Sequence, residues 1–413
     1  GSDVGALKTK AVPNEDGSYV ITGQKIYITW GDHDVAENII HLVLARLPDA
    51  PEGSRGVSLF LVPKIIVNDD GSLGERNAVT CIGLENKVGI HASPTCVMEY
   101  DGATGWLIGA ENNGLACMFT MMNSARLNVG LEGVGVGEAA YQAAFAYAQE
   151  RKQGKVKGVE GPAPILHHSD IRRQLITMRA RVQAARAICY ACGAAADLAD
   201  VAETAEAREA AKLREEFLTP IAKAWSTDMG VEVASMVFMI ETLAAQLYRD
   251  ARIAPIYEGT NGIQAIDLAG RKLAMADGQA MTSMIADIEN TVREARATNN
   301  PQLVAIADRL RAANAGLLEA TEWMRAAMKS DRDTALAGAT AYLALAGDVI
   351  GGHFLAKSAV AARSETSETR ARMPALAGFY SETTLASAPG AVAGITQGGA
   401  KVLEESEALF GIS

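Results

Sequence analysis

The sequence has 413 residues, of which 49% are hydrophobic, and a formal net charge of −11. A chain of this length can form two or three domains, and its acidic charge argues against a general nucleic-acid surface. No run of 18 or more uncharged apolar residues occurs, so we expect no transmembrane helix.

The five cysteines are an odd number without the spacing of a disulfide framework, which indicates a reducing compartment. Cys189 and Cys192 form a C-x-x-C pair in an Ala-rich stretch, with no second Cys or His pair at metal-binding spacing. This pattern favours buried helix cysteines over zinc or redox chemistry. We therefore predict no metal site and a cytoplasmic protein.

Residues 1–112 are predicted to be β-structure. Residues 19–30 contain two β-rich runs around Gly23 and Gln24, which predicts a hairpin. Further strands are expected over residues 38–47, 56–62 and 95–100, and the polar run 68–72 predicts a turn. Strands at this spacing without helices between them indicate a barrel or sandwich.

From about residue 113 the apolar spacing is helical. Helices are predicted over residues 113–152, 170–199 with Ser169 as the N-cap, and 208–247 as one or two helices. Residues 280–413 are also helical and Ala-rich, without a catalytic constellation. The expected fold class is α+β and mostly α: a β-barrel or sandwich domain (1–112), a four-helix-bundle domain (113–274) and an appended helical domain (275–413) with a structural or oligomer-contacting role.

Four glycines lie in the first long helix, at positions 130, 133, 135 and 137. No strand precedes this cluster, and it continues a helix instead of opening one. Close helix–helix contact is therefore favoured over a dinucleotide-binding loop.

The segment 253–273 carries the strongest chemical signal. Pro255 interrupts a helix, and Glu258 and Gly259 lie in the break that follows. Asn261 and Gln264 have the spacing of a capping box, which predicts that a new helix begins there. Two interpretations of Glu258 remain open on these residues alone: a general base, or a loop carboxylate held by helix N–H groups, which the spacing favours.

The string Tyr257-Glu-Gly-Thr-Asn-Gly-Ile-Gln264, with residues 248–253 before it, resembles the signature of the acyl-CoA dehydrogenases. It is most similar to the large bacterial members that carry an extra C-terminal helical domain. The resemblance implies an enzyme of fatty-acid β-oxidation that uses FAD. Glu258 would remove the α-proton of an acyl-CoA while the β-hydrogen leaves as hydride to FAD. Contacts with the substrate are implied for Gly259, and contacts with FAD for Thr260, Asn261 and Gly262.

Two further stretches match the same family. In residues 24–29, the resemblance places Tyr27 over the flavin ring, with Ile28 and Thr29 along the same strand and the Thr hydroxyl at the polar edge of the flavin. In residues 121–126, Asn123 and Arg126 are implied to contact the acyl-CoA, and their i, i+3 spacing puts them on one helix face. A guanidinium suits the phosphates and carbonyls of CoA.

Residues 149–154 are the third match. It implies that Arg151 and Gln153 reach the FAD of a neighbouring subunit, and hence a homodimer or a dimer of dimers. Ser2 lies where a family serine touches the acyl-CoA. Relatives precede Gly-Ser-Asp with a helical domain, so the sequence looks like the middle and end of a longer protein.

One departure leaves alternatives open. Relatives carry a Gln-x-x-Gly-Gly-x-Gly run after the match to residues 230–236, and this sequence goes directly on to Glu241. A flavin-poor, non-catalytic homologue or partner subunit is therefore one alternative to a dehydrogenase that passes electrons to an electron-transfer flavoprotein. An acyl-CoA oxidase on the same scaffold is another. A nitroalkane oxidase is disfavoured, because it would have Asp at the base position.

Overall fold

The computed structural model describes residues 3–237, 243–364 and 368–411. It divides into two compact units between Ala125 and Arg126. The predicted fold class is confirmed, since a β-sheet domain is followed by helices. The domain boundaries at 112 and 274 stay predictions. Ser2 lies outside the described residues, as does most of the stretch that lacks the glycine run.

The first unit is built from antiparallel strands. The main sheet has the order β1-β2-β8-β4-β3, with β7 also paired to β8, and β5 and β6 form a separate two-stranded sheet. Its core contains Ile21, Phe60 and Met98, each at most 1% exposed. The strands are β1 (Lys10–Pro13), β2 (Tyr19–Thr29), β3 (Ile40–Ala45), β4 (Ser58–Pro63), β5 (Ile65–Val67), β6 (Leu73–Arg76), β7 (Val79–Leu84) and β8 (Thr95–Ile108).

The hairpin predicted at Gly23 and Gln24 is wrong. Residues 19–29 form one continuous strand, β2, which pairs along its length with β8. Gly23 has a φ of +141°, and a Cβ atom there would lie 3.0 Å from Cα of Thr9. The glycine therefore allows close backbone approach within a strand, instead of reversing the chain.

The remaining elements are mainly helices, and the longest connection between them is the segment 151–168 between α1 and α2. The helices are α1 (Gly114–Glu150), α2 (Ser169–Val201), α3 (Ala205–Ser235), α4 (Leu243–Ala251), α5 (Asn261–Gly270), α6 (Gln279–Ala297), α7 (Pro301–Ser330), α8 (Arg332–Ala361), α9 (Glu368–Ala371), α10 (Met373–Tyr380) and α11 (Ala386–Phe410). Ser169 begins α2 instead of capping it: His168 is extended and occupies the N-cap position, with no side-chain capping bond.

Helix α8 is central to the second unit, where it packs against α2, α3, α5, α6, α7, α10 and α11. The side chain of Trp225 on α3 lies directly over Gly347 of α8, and its indole Nε1 donates to Oδ1 of Asp348 at 3.1 Å. By length and composition, residues 332–364 could cross a membrane, but 67% of their most apolar window is buried. A core helix meets the same criteria, and α8 is packed as one.

The glycine cluster of α1 serves helix packing, as predicted. A Cβ atom at Gly130 would lie 2.6 Å from the carbonyl oxygen of Ala222, and one at Gly133 would lie 2.4 Å from that of Ser226. Both contacts are with the backbone of α3, so larger residues would force the helices apart.

The C-x-x-C pair is also structural, as predicted. Cys189 and Cys192 are at most 1% exposed in the helical core. Burial raises the pKa of the Cys189 thiol to about 11 and that of Cys192 to about 12. Both thiols are therefore protonated at neutral pH and unsuited to nucleophilic chemistry.

Candidate active site

Glu258 lies on the loop that joins α4 to α5, and it has a left-handed backbone conformation with φ of 55°. Gly259 follows with φ of 85°. The backbone N–H of Asn261 donates to the carbonyl of Pro255 at 2.9 Å and closes the loop. Glycine adopts this conformation easily, but for a glutamate it costs energy and persists only where the surroundings enforce it.

The predicted capping box at the start of α5 is wrong, because the N-cap is Thr260 and not Asn261. Thr260 is the N-cap, and its Oγ1 accepts from the N–H of Ile263 at 3.2 Å. Asn261 is already the first helical residue. The side chain of Gln264 is fully buried and donates to the carbonyl of Gly259 at 3.4 Å, so it supports the loop instead of the predicted cap.

The side chain of Asn261 cannot cap because it is bonded to α3. Its Nδ2 donates to the carbonyl of Ala224 and to Oγ1 of Thr227, both at 3.0 Å, and to Oδ1 of Asp228 at 2.8 Å. Its Oδ1 accepts from Nζ of Lys223 at 2.9 Å. Both ends of the amide are therefore used within the protein.

Lys223 is 0% exposed in the middle of α3. Burial lowers the pKa of its ammonium to about 8, and the negative charges of Asp228, Glu258 and Glu132 oppose that shift. Such a cation needs partners, because an isolated buried charge is strongly unfavourable. The burial of Lys223 could not be predicted from local pattern, since a lysine in an amphipathic helix usually faces solvent.

Arg126 borders the same loop from α1. A Cβ atom at Gly259 would lie 3.7 Å from Nη2 of Arg126, whose Nη1 lies 3.8 Å from Oδ2 of Asp267 on α5. Burial lowers the pKa of Arg126, and the charges of Asp267 and Glu258 oppose that shift. The fold thus brings together Arg126, Glu258 and Gly259, which the sequence had placed at one site.

Tyr257 attaches the Glu258 loop to helix α1. Its hydroxyl donates to Oε2 of Glu132, which lies on α1. Burial raises the pKa of the Glu132 carboxyl, and the Tyr257 hydrogen bond opposes that shift. The sequence analysis missed Glu132, because nothing in its local pattern connects it to a loop 125 positions away.

In the first unit, the edge of β2 presents Tyr27 to solvent. Between Lys25 and Ile28 the register with β8 shifts by one residue, and Tyr27 adopts φ of 59° within this bulge. Its ring is 68% exposed, and Thr29 is also exposed, whereas Ile28 between them packs on the sheet core. A bulge often re-aims a side chain in this way.

An exposed aromatic ring and a hydroxyl two residues apart suit a planar heterocycle with a polar edge. The residues present therefore fit the flavin that the sequence predicted. Trp30, also left-handed and 44% exposed, adds a second exposed aromatic ring that the sequence analysis had not singled out. Among the residues that the structure describes, no group of three or more His, Cys, Asp or Glu could hold a metal ion.

Three family models match the chain in sequence order. They are described as acyl-CoA dehydrogenase, middle domain (residues 1–103), acyl-CoA dehydrogenase, C-terminal domain (112–273), and acetyl-CoA dehydrogenase C-terminal like (284–405). The chain belongs to the acyl-CoA dehydrogenase family. Tyr27 lies within the first match and Glu258 within the second, while the third match lies inside residues 275–413, for which an appended domain was predicted.

Individual relatives agree with this assignment. The chain is 44% identical over 380 residues to 3-methylmercaptopropionyl-CoA dehydrogenase of Ruegeria pomeroyi, covering 88% of this chain and 63% of the relative. Among solved structures, its fold is similar to ACDH-11 of Caenorhabditis elegans in complex with C11-CoA (TM-score 0.82, 21% identity, 99% of this chain, 66% of that chain). It is also similar to an acyl-CoA dehydrogenase of Bacillus anthracis complexed with FAD (TM-score 0.69, 20% identity, 95% and 66%). The chain thus spans about two thirds of these proteins.

The other residues predicted from the acyl-CoA dehydrogenase pattern lie on α1, just beyond its end, and in the first turn of α5. Arg151 and Gln153 are exposed just beyond the end of α1, where the backbone of each is bonded to the 163–168 segment. Asn123 is half-buried on α1 within the first unit, three residues before Arg126. Gly262 is exposed in the first turn of α5. Their ligand contacts stay predictions.

Proposed function

We propose that this chain forms part of an FAD-dependent acyl-CoA dehydrogenase that converts an acyl-CoA thioester to the 2-enoyl-CoA in fatty-acid oxidation. The observation that carries the proposal is the Glu258 loop. A carboxylate is held there in a strained conformation, and two buried cations, Arg126 and Lys223, lie close enough to attract it. Strain of this kind concentrates at functional sites.

Glu258 is the proposed base. It removes the α-proton of the thioester, which is weakly acidic, so the negative charge that develops on the carbonyl oxygen must be stabilised. The backbone N–H of Glu258 is the proposed donor to that oxygen. Bound FAD supplies the acceptor for the β-hydrogen, which leaves as hydride.

The substrate and cofactor contacts follow the same proposal. Arg126 and Asn123 approach the CoA thioester from α1, together with Gly259 and Ser2. Contacts with FAD come from the exposed edge of β2 and the start of α5, and in a homodimer or dimer of dimers also from a neighbouring subunit. These residues are Tyr27, Ile28, Thr29, Thr260, Asn261 and Gly262, with Arg151 and Gln153 from the neighbour.

The proposal extends to the partners of the reaction. Electrons leave the reduced cofactor to an electron-transfer flavoprotein. We place the protein in the bacterial cytoplasm, which accords with the free cysteines. Acyl-CoAs of different length and a methylthio-substituted acyl-CoA form the first substrate panel, since the similar proteins are named for such compounds.

Replacing Glu258 by Gln tests the base. The E258Q variant keeps the shape of the side chain but cannot accept the proton, so flavin binding should persist while flavin reduction by acyl-CoA falls by at least about a thousandfold. The matched control is E138Q, which changes a half-buried glutamate on α1 that pairs with Arg186. Stopped-flow bleaching of flavin absorbance measures both. Equal bleaching by E258Q and wild type would overturn the base assignment.

The same preparation separates the alternative functions. Peroxide formed without an added electron acceptor would identify an oxidase. A purified protein that shows no flavin absorbance after incubation with FAD would identify a non-catalytic homologue or partner subunit. Bleaching that requires acyl-CoA, followed by reoxidation only with an added acceptor, is the result expected of the dehydrogenase.

A further inference from the structure

The side chain of Lys223 forms a hydrogen bond with the side chain of Asn261, at the end of the Glu258 loop. Its ammonium is completely buried and donates to Oδ1 of Asn261 at 2.9 Å. Asn261 stands at the end of the loop, and its own backbone N–H bonds back to the carbonyl of Pro255 at the beginning. The bond from Lys223 therefore acts on the residue that closes the loop.

Within the described part of the chain, four residues of α3 bond to the side chain of Asn261, and Lys223 is the charged donor among them. The other three, Ala224, Thr227 and Asp228, accept from the amide nitrogen, and the Thr227 hydroxyl also lies 3.3 Å from the amide oxygen, to which it can donate. Without Lys223 the amide oxygen would keep only the longer contact with the Thr227 hydroxyl, which can donate or accept and therefore fits either end of the amide. The ammonium of Lys223 fixes which end faces which partner, because it can only donate.

The loop needs such support. Glu258 and Gly259 are two consecutive left-handed residues, and the glutamate would relax to a more extended conformation if the loop ends could separate. Glu258 also lies within electrostatic reach of Lys223 and Arg126. We infer that Lys223 is a positioning residue, which fixes Asn261 and thereby holds Glu258 at the site where the proposed function requires a base. This inference rests on the proposed function only for its consequence in catalysis.

The test compares two buried lysines of the same unit. Lys272 is 3% exposed and donates to Oε2 of Glu216 at 3.0 Å, with no role in the loop. Lys223→Met and Lys272→Met each remove a buried ammonium and leave a side chain of similar length. If charge burial alone mattered, the two variants would behave alike.

The first readout needs neither substrate nor activity. Hydrogen–deuterium exchange followed by mass spectrometry reports the amides of the peptide that covers residues 255–264. In K223M this peptide should exchange at least about tenfold faster than in wild type, because the closing bond of the loop opens more often. K272M should leave its exchange unchanged.

The second readout is flavin reduction by acyl-CoA in the FAD-loaded protein. K223M should reduce its flavin about a hundredfold more slowly at saturating substrate, with unchanged flavin content, because a misplaced base loses rate steeply with distance. Deuterium at the α-carbon should slow K223M by a larger factor than wild type. A purely structural role of Lys223 would lower the yield of folded protein without changing this isotope effect.

Asn261→Ala provides a second route if K223M does not fold. This variant removes the acceptor of the hydrogen bond from Lys223. The inference requires that it accelerate hydrogen–deuterium exchange of the peptide 255–264, as K223M does. In the double variant the two effects should not add, since both break one interaction. Additive effects, or wild-type exchange in both single variants, would overturn the inference.

The outcomes also distinguish this inference from the proposed function. If E258Q still reduces its flavin while K223M loosens the loop, the base assignment fails and the positioning of the loop stands. If E258Q abolishes reduction while K223M matches wild type in exchange and rate, the base stands and the role of Lys223 is wrong.

Discussion

In the second unit, the helices up to residue 270 and the helices from residue 279 onward bury polar groups differently. The proximal helices, α1 from Arg126 through α5, bury the cations of Arg126 and Lys223, each beside carboxylates. The distal helices, α6–α11, bury neutral polar groups, among them Thr321, which bonds to the hydroxyl of Tyr342 at 2.8 Å. Among their described residues, no Lys, Arg, Asp or Glu is fully buried. The exception in degree is Asp348 of α8, which faces α3: burial raises the pKa of its carboxyl to about 6.

The two sets of helices therefore differ in what their buried polar groups do. Burying a charge is expensive and is rarely the best route to stability, so charges buried together indicate a site whose position matters. Neutral polar groups in the distal helices are consistent with a packing role. The proximal helices should therefore be sensitive to changes of charge, and the distal helices to changes of volume.

The largest effect is expected from a change of volume where the two sets of helices meet. In Gly347→Ala, the new Cβ atom would lie 2.2 Å from Cδ1 of Trp225, so the indole or α8 must move. We expect a loss of about 3 kcal/mol in the free energy of unfolding, measured by chemical denaturation. Gly394→Ala in α11 is the control, since nothing lies within 4 Å of its Cβ position. If Gly347→Ala lowered the free energy of unfolding by less than Gly394→Ala, the packing of Trp225 against Gly347 would be loose.

The next effect comes from the two arginines that share Asp267. Arg126 is buried, whereas Arg271, bonded to Asp267 at 2.7 Å, has a side chain that is 56% exposed. Arg126→Met should lower the free energy of unfolding by about 2 kcal/mol, because Asp267 keeps only one partner in a half-buried site. Arg271→Met should cost about 0.5 kcal/mol, as exposed ion pairs contribute little. If both variants lowered the free energy of unfolding equally, burial of Arg126 would not make the proximal helices more sensitive to a change of charge.

The smallest effect should be a gain in stability in the distal helices. His353 of α8 is 1% exposed, and neither ring nitrogen has a hydrogen-bond partner within the described part of the chain. His353→Leu should raise the free energy of unfolding at pH 8 by about 1 kcal/mol, because an unsatisfied polar group is removed. The exposed His167→Leu is the control, with no gain expected.

The same variant has a predicted pH dependence. Burial lowers the pKa of folded His353 to about 4 from its ordinary 6.5. Between these values the unfolded chain binds the proton and the folded chain does not, so wild type loses stability as the pH falls from 6.5 towards 4. The advantage of H353L should therefore grow by about 2 kcal/mol between pH 8 and pH 5. A constant difference across this range would show that the imidazole is hydrated.

The parts of this protein that could be read from the sequence depend on local pattern. Periodicity predicted the long helices, and a contiguous motif singled out Glu258. The prediction of a hairpin at Gly23 failed because a glycine in a β-rich run fits both a turn and a strand position that another backbone approaches closely, and only the approach of Thr9 decides between them.

What the sequence did not reveal depends on contacts between distant residues. Thr260 caps α5 because the side chain of Asn261 is occupied by Lys223, 38 positions earlier. No local pattern contains that bond. Lys223 and Glu132 each look like ordinary polar positions of a helix, and only the packing of α1, α3 and the Glu258 loop shows where they point.

The contact between Trp225 and α8 also has a consequence for how this chain folds during synthesis. The hydrogen bond from the indole of Trp225 to Asp348 spans 123 positions. At a translation rate of about 5–20 residues per second, synthesis of Asp348 follows synthesis of Trp225 by on the order of 6–25 s. Until then the part of α8 that covers the indole is missing. During that interval the nascent chain exposes an apolar face to the cell. Ribosome-associated chaperones should therefore bind the unfinished chain before residue 348 emerges and release it afterwards.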